Sequence, residues 1–314
     1  MSYRHVDKFF GLHMQIHYIA TIYDIYCLQK FSENKIYATT TIVATAVLSM
    51  SDIYAKFAKE INLSTMSNEE YFTNRRTIRK YLYKDVPQSI IDSLLLKASH
   101  APTTGNMQLY SVIVTRDAEA RRRLAPMHFN QPQVTGAPVV LTFCADFNRF
   151  TRWCKASCAY PGYDNFQSFT AAALDTIAFA QQFNTLAEQA GLGVCWLGTT
   201  TYNAQEIAGE LNLPELVVPM ITLTVGYPAE EGTETGRLPL EALLHEGKYH
   251  DYSDDRIRSL YRKKEERADS KQFIKENQKE TLAQVFTDIR YPRSSNEAFS
   301  EKFISFLKDS GFLK

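Results

Sequence analysis

From about residue 66 to residue 228 the apolar residues of this chain alternate between helical and strand periods, and a helical period returns near the carboxyl end. Pro87 precedes Ile90, Ile91, Leu94, Leu95 and Ala98, a spacing that predicts a helix with proline in its first turn. The polar stretch 101–108, APTTGNMQ, reads as a loop turning at Gly105 and Asn106. YSVIVTR at 110–116 predicts a strand, a charged helix follows at about 118–126, and Pro138 opens a strongly apolar strand over 138–146. Residues 166–190 predict the longest helix, rich in alanine and stopped by Gly191 as a C′ residue. GVCWLG at 193–198 predicts a short buried strand. Asn203 with Glu206 predicts a capped helix over 204–211. A last strand is expected at 217–228, with Pro219 at its start or at a sheet edge.

The two ends differ from this middle. The apolar stretch 9–28 is broken by His13, His17 and Asp24, and the run at 36–50 is shorter than a membrane helix needs. A weak anchor, a divergent signal and an extension upstream of the natural start are the competing readings for 1–65, and the third is favoured. Met50 and Met66 offer alternative starts, and Ser67 with Glu70 forms a capping-box pattern for a first helix. Residues 254–280 interleave acids with Arg256, Arg258, Arg262, Lys263, Lys264, Arg267, Lys271 and Lys275, the usual pattern of a solvated helix face. Residues 296–309 predict an amphipathic helix with Phe299, Phe303, Phe306 and Leu307 on one side, which must pack on its own core or on a partner subunit. The division expected is an extension over 1–65, a core over 66–250 and a helical extension over 251–314.

A formal net charge of +0 over 314 residues argues against a nucleic-acid protein that relies on bulk positive charge. Any anion site must be local. Cys27, Cys144, Cys154, Cys158 and Cys195 are odd in number and irregular in spacing, as expected of reduced thiols in a cytoplasmic protein. No second pair of Cys or His stands beside Cys154 and Cys158 at zinc-site spacing, so no metal is expected. The histidines suggest no nucleophilic triad, and no glycine-rich dinucleotide or Walker loop is present.

The candidate anion site is NRRTIRKY at 74–81, which sets Arg75, Arg76 and Arg79 around Thr77 where the first helix gives out. Guanidinium forks match phosphate oxygens and keep their charge. Arg75 and Arg79 share a face if the helical turn continues. Taken alone, such a triplet also reads as a solvated basic turn.

With APTTGNMQ (101–108), GLGVCWLGTTTYN (191–203) and GRLPLEALLH (236–245) in this order, the chain resembles the nitroreductase family of FMN-dependent oxidoreductases over about residues 66–250. ADFNRF at 145–150 and the helical tail are most similar to its NADPH-dependent branch, the oxygen-insensitive nitroreductases and flavin reductases. The resemblance implies an α+β fold, a mainly antiparallel sheet wrapped by helices, in a homodimer with two flavin sites at the subunit interface. It implies that Arg75 and Thr77 take the FMN phosphate, that Arg237 closes on it, and that Arg76 is among the cofactor-binding residues. Thr235 stands where the family often carries Lys. Arg79 would face the pyrimidine end of the flavin, Thr103 the phosphate or ribityl side, and Gln131 the pyrimidine edge. The main chain of Gly198 and Thr199 would present N–H groups toward N5, with Leu197 before them also among the cofactor-binding residues. The cofactor carries the redox chemistry, so no catalytic side chain is required. The implied reaction is ping-pong, from NADPH or NADH to FMN and on to a nitroaromatic, quinone or flavin acceptor. NADPH preference would draw on Arg262, Lys263, Lys264 or Arg267. The alternative is a flavin carrier or sensor without turnover.

Overall fold

The computed structural model describes residues 68–313. The capping pattern at Ser67, the candidate starts and the readings of 1–65 lie outside the described residues. In chain order the helices and strands are α1 Asn68–Asn74, α2 Gln88–Ala98, β1 Tyr110–Thr115, α3 Ala118–Leu124, α4 Pro132–Gly136, β2 Val139–Asp146, α5 Asn148–Ala156, α6 Phe166–Gln189, β3 Gly193–Leu197, α7 Ala204–Glu210, β4 Val217–Gly226, α8 Asp254–Glu265, α9 Ala268–Glu276, α10 Leu282–Val285 and α11 Arg293–Asp309. The architecture is α+β, with one antiparallel four-stranded sheet in the order β1-β2-β4-β3.

Alternation decides the faces of the sheet. In β4, Ile221, Leu223 and Val225 point to one side and Thr222 and Thr224 to the other. The aliphatic side packs with Leu141 and Phe143 of β2 against Ile91 and Leu94 of α2 and Phe179 and Phe183 of α6. The threonine side is buried as well, so its hydroxyls pair: Thr200 Oγ1 donates to Thr222 Oγ1 at 3.1 Å, and Thr224 Oγ1 lies 2.7 Å from the Tyr81 hydroxyl. Strand β2 is buried along its whole length, consistent with its interior place in the sheet.

Pro219 also finds a tolerated place. Strand β4 is interior, yet β3 pairs only with Thr222–Gly226, so Pro219 has no strand on that side. Across β2 the register slips between Phe143 and Cys144, and Pro219 stands opposite Cys144 at that irregularity.

Asn165 caps α6 through a 3.0 Å bond from Ser168 N–H, and Gly191, with φ 79°, follows its end. Phe306, Leu307 and Phe312 at the carboxyl end join Phe169 and Ala172 of α6 and Ala204 and Ala208 of α7 in a second core. The Ser310 carbonyl accepts from Leu216 N–H at 2.8 Å, which fixes this end against the lead-in to β4. Helices α8 to α10 pack chiefly on one another, around Leu260, Leu282 and Val285. Among the described residues no helix is long and apolar enough to cross a membrane.

Candidate functional site

Helix α1 stops at Asn74 and the turn does not continue, so Arg75 and Arg79 share no helical face. The next residues run extended beside a second segment. Thr77 bridges Thr233 and Tyr81 bridges Pro228, both antiparallel. Ala229 N–H donates to the Lys80 carbonyl at 3.0 Å, and Glu230 Oε1 accepts from the N–H groups of Arg79 and Lys80 at 2.7 and 3.1 Å. Gly232, at φ 73°, sits so close that an added Cβ would lie 3.0 Å from the Thr77 carbonyl. The loop that carries Arg237 is thereby laid along the loop that carries the arginine triplet.

The individual cations fare differently. Arg75 is clamped: Nη1 donates to Glu188 Oε1 at 2.9 Å and Nη2 to Thr77 Oγ1 at 3.3 Å. The Tyr71 hydroxyl donates to Glu188 Oε2 at 2.6 Å. Burial pushes the Glu188 carboxyl up, while Tyr71 and Arg75 pull it back. Arg75 thus forms an ion pair at the end of α1. The Nε of Arg76 is buried with no hydrogen-bond partner. Ile78, between the arginines, is buried and its N–H donates to the Val194 carbonyl at 3.2 Å, which ties the segment to β3. Arg79 lies against Cys195: burial raises that thiol, and the Arg79 guanidinium opposes the shift. Arg237 is exposed and folds back on its own loop, donating to Thr235 Oγ1 at 2.7 Å.

From Cys195 a polar chain leads to the second half of the site. Gln133 Nε2 lies 3.8 Å from Cys195 Sγ and donates to Gln131 Oε1 at 2.8 Å. Gln131 Nε2 donates to Thr199 Oγ1 at 3.4 Å, and Thr199 Oγ1 lies 2.9 Å from His128 Nδ1. Burial lowers the His128 pKa to about 4, so the ring is neutral at physiological pH. Leu197 is buried at the end of β3, whereas Gly198 is exposed with open space where a Cβ would stand. Arg79, Gln131 and Thr199 are therefore linked through Cys195 and Gln133, along β3.

Thr103 stands apart. Its neighbour Thr104 donates through both N–H and Oγ1 to Asp175 Oδ1, each at 2.9 Å. Asp175 and Glu188 lie on the same helix, α6, 13 positions apart, or roughly 20 Å at the α-helical rise. Within one chain Thr103 therefore lies beside the middle of α6, roughly 20 Å along the helix from Arg75.

Glu188, Asp175, His128, Gln133 and Asn203 were not singled out as site residues by sequence reasoning. The one signal for the two acids is their place on an otherwise alanine-rich, largely apolar helix. Asn203 makes no cap to α7. Its side chain donates to the Met127 carbonyl at 2.7 Å and accepts from Lys302 Nζ at 2.9 Å, so the expected cap is replaced by longer-range bonds.

The donor set suits a phosphorylated, planar, polar-edged ligand such as FMN. Arg76 Nε, Thr103 Oγ1 and His128 Nε2 are buried polar atoms with no protein partner, hydrogen-bonding capacity left unspent. The carboxylates that meet the arginine segment, Glu188 and Glu230, are bound to Arg75, Tyr71 and main-chain N–H groups.

A profile of the Nitroreductase family matches residues 72–227. A Cr(VI) reductase of Pseudomonas sp. (strain G-1) is 32% identical over 182 residues, covering 58% of this chain and 75% of that protein. An NADPH-dependent FMN reductase of Bacillus subtilis (strain 168) is 31% identical over 188 residues, covering 59% and 76%. A crystal structure from Bacteroides fragilis NCTC 9343, described as an oxidoreductase, superposes with a TM-score of 0.77 at 56% identity, covering 77% of this chain and 99% of that one.

Proposed function

The chain belongs to the nitroreductase family of oxidoreductases, and on that premise we propose that it is an FMN-dependent NAD(P)H oxidoreductase that reduces a nitroaromatic, quinone or flavin acceptor. The carrying observation is the pairing of 77–81 with 228–233, which gathers Arg75, Arg76, Thr77 and the Arg237 loop at one edge of the sheet. Bound FMN supplies the hydride relay between the two substrates. Arg76, with its unpartnered Nε, and Thr77, whose hydroxyl hydrogen is free while its oxygen accepts from Arg75, donate to the phosphate. Glu188 holds Arg75 in place. Arg237 leaves Thr235 to close on the phosphate from the far side. Arg79 and Gln131 face the polar edge of the ring, and the main chain at Leu197, Gly198 and Thr199 faces its reacting side. Neutral His128 holds the Thr199 side chain by its hydroxyl and so limits crowding at that face.

The functional unit is a homodimer. Thr103, roughly 20 Å along α6 from Arg75, completes the partner's site rather than its own. Leu174 and Ile177, the apolar residues flanking Asp175 on α6, are 66% and 39% exposed, as expected of a surface covered by a second copy.

NADPH is preferred over NADH. The arm formed by α8 to α10 holds a groove of about 880 Å³ lined by Arg258, Tyr261, Arg262, Lys264 and Phe286, with Glu265 and Glu266 beside them, and its cations and rings are offered to a phosphorylated adenosine. Arg267 links the arm to the phosphate loop by donating to the Glu234 carbonyl at 2.9 Å. Arg267 is spent on that contact and on Asp269, and Lys263 does not line the groove, so Arg262 and Lys264 are the two cations of choice. Comparing kcat/KM for the two nucleotides tests the preference, and equal values would remove it.

A visible absorption spectrum before and after anaerobic addition of NADPH tests the whole reading. Flavin bands that bleach, and return when a quinone is added, are expected. Bands that do not bleach would make the chain a carrier, and a colourless protein that takes up no FMN would end the proposal.

A further inference from the structure

Asn203 sits where a helix cap was expected, yet its side chain is committed to two other elements. Its Nδ2 donates to the Met127 carbonyl at 2.7 Å and its Oδ1 accepts from Lys302 Nζ of α11 at 2.9 Å. Lys302 also reaches Glu206 Oε1 at 2.6 Å. One turn earlier on α11, Phe299 lies flat on Tyr202, with ring centroids 4.3 Å apart and planes 8° from parallel. Phe129 stands edge-on to both rings, at 6.4 and 6.1 Å. Helix α11 therefore grips the last two residues of the short 3₁₀ turn Gly198–Asn203.

The same contacts return to the beginning of that turn. Met127 is followed by His128, which is fully buried and lies 2.9 Å from Thr199 Oγ1. The path Asn203–Met127–His128–Thr199 closes a ring with residues 199–203, and Lys302 braces it at Asn203. Thr199 and the adjoining Gly198 face the flavin in the function proposed above. The ammonium does more here than a surface ion pair, which contributes little. By occupying Oδ1 it fixes which end of the Asn203 amide faces Met127. Rotated, the amide would set its carbonyl against the Met127 carbonyl, two acceptors without a hydrogen.

We infer that Asn203 and Lys302 are positioning residues for the flavin-facing turn, so that the carboxyl-terminal helix sets the placement of Gly198 and Thr199 without touching the flavin. This rests on the reading of that turn as the reacting face of the FMN site. Lys302→Met, Lys302→Arg, Thr199→Ala and the Lys302→Met/Thr199→Ala double variant test it in the FMN-loaded full chain. Lys302→Met is expected to slow anaerobic bleaching by NADPH about tenfold and to shift the FMN midpoint potential, with little change in Tm. Amide exchange across 198–203 should quicken even in protein stripped of flavin. Lys302→Arg should restore most of the rate, and the double variant should lose less than the sum of the single losses, because both changes release one ring. Wild-type rates, potential and exchange in Lys302→Met, or additive losses, would overturn the inference while leaving the functional reading intact. A wild-type chain that takes up no FMN would instead overturn that reading and this inference together.

Discussion

The segment 75–81 and the arm of helices α8 to α10 are both rich in Arg and Lys, and the fold treats them in opposite ways. In the segment, each residue from Thr77 to Tyr81 is tied to the sheet or to the 228–233 loop, and Arg75 is held by the buried carboxylate of Glu188. In the arm, Arg258 is 74% exposed and meets Asp254 and Asp255 only at 3.7 and 3.9 Å. Density of charge is the same signal in both stretches of sequence. What separates a candidate site from a solvated face is whether the main chain and a desolvated acid fix the cation before the ligand arrives, since ordering a free side chain at binding costs affinity.

Four substitutions break or sharpen this contrast. Arg75→Ala should have the largest effect. Loss of a charge-assisted hydrogen bond costs about 1.5–3 kcal/mol, or one to two decades in the Kd for FMN. The variant also strips Glu188 of its ion pair, so its Tm should fall, which fluorescence titration and a thermal melt read separately.

His128 gives the next effect, through pH. Its pKa is about 4 in the folded protein against 6.5 unfolded, so below pH 6.5 the unfolded chain binds the extra proton. Stability is full above that value and drains away as the pH falls toward 4, by about 2 kcal/mol between pH 7 and pH 5. Urea denaturation at the two pH values should show this loss in the wild type. A His128→Gln variant should show a smaller one.

Arg237→Ala should weaken FMN binding by about 1 kcal/mol, less than Arg75→Ala, because the wild-type side chain must first leave Thr235. Arg258→Ala should change stability and FMN affinity by under about 0.5 kcal/mol. An effect as large as that of Arg75→Ala would contradict the distinction drawn between the two regions.

Much of the frame was legible along the chain because its cues are local. Pro138 and the unbroken apolar run after it mark β2, and Gly191 marks the end of α6. The segment 74–81 stands out as a candidate anion site by its residue types, and its company with the three later segments sets it above a solvated basic turn. Its partners in space were not legible, because they are remote in sequence. Glu188 meets Arg75 across 113 residues, and Asp175 meets Thr104 across 71. Asn203 carries every local mark of a helix cap, but Met127 and Lys302, 76 and 99 residues away, outcompete the cap. Short polar side chains exchange one hydrogen bond for another at little net cost, so tertiary contacts choose among them. Arg237 shows the same limit in reverse. The pairing brings the start of its loop alongside the triplet, while its guanidinium rests on its own loop.

Helix α6 carries one further consequence. Its two acids hold two different loops, one at the middle of the helix and one at its carboxyl end, so a single rigid rod meters both. Slipping one extra residue into it between Asp175 and Glu188 would swing one carboxylate by about 100° around the axis relative to the other. Lengthening any surface loop of the molecule by the same amount should be absorbed locally. Here the error would be transmitted from one carboxylate to the other, and the chain would lose either its grip on Arg75 or its anchor for the 103–109 loop.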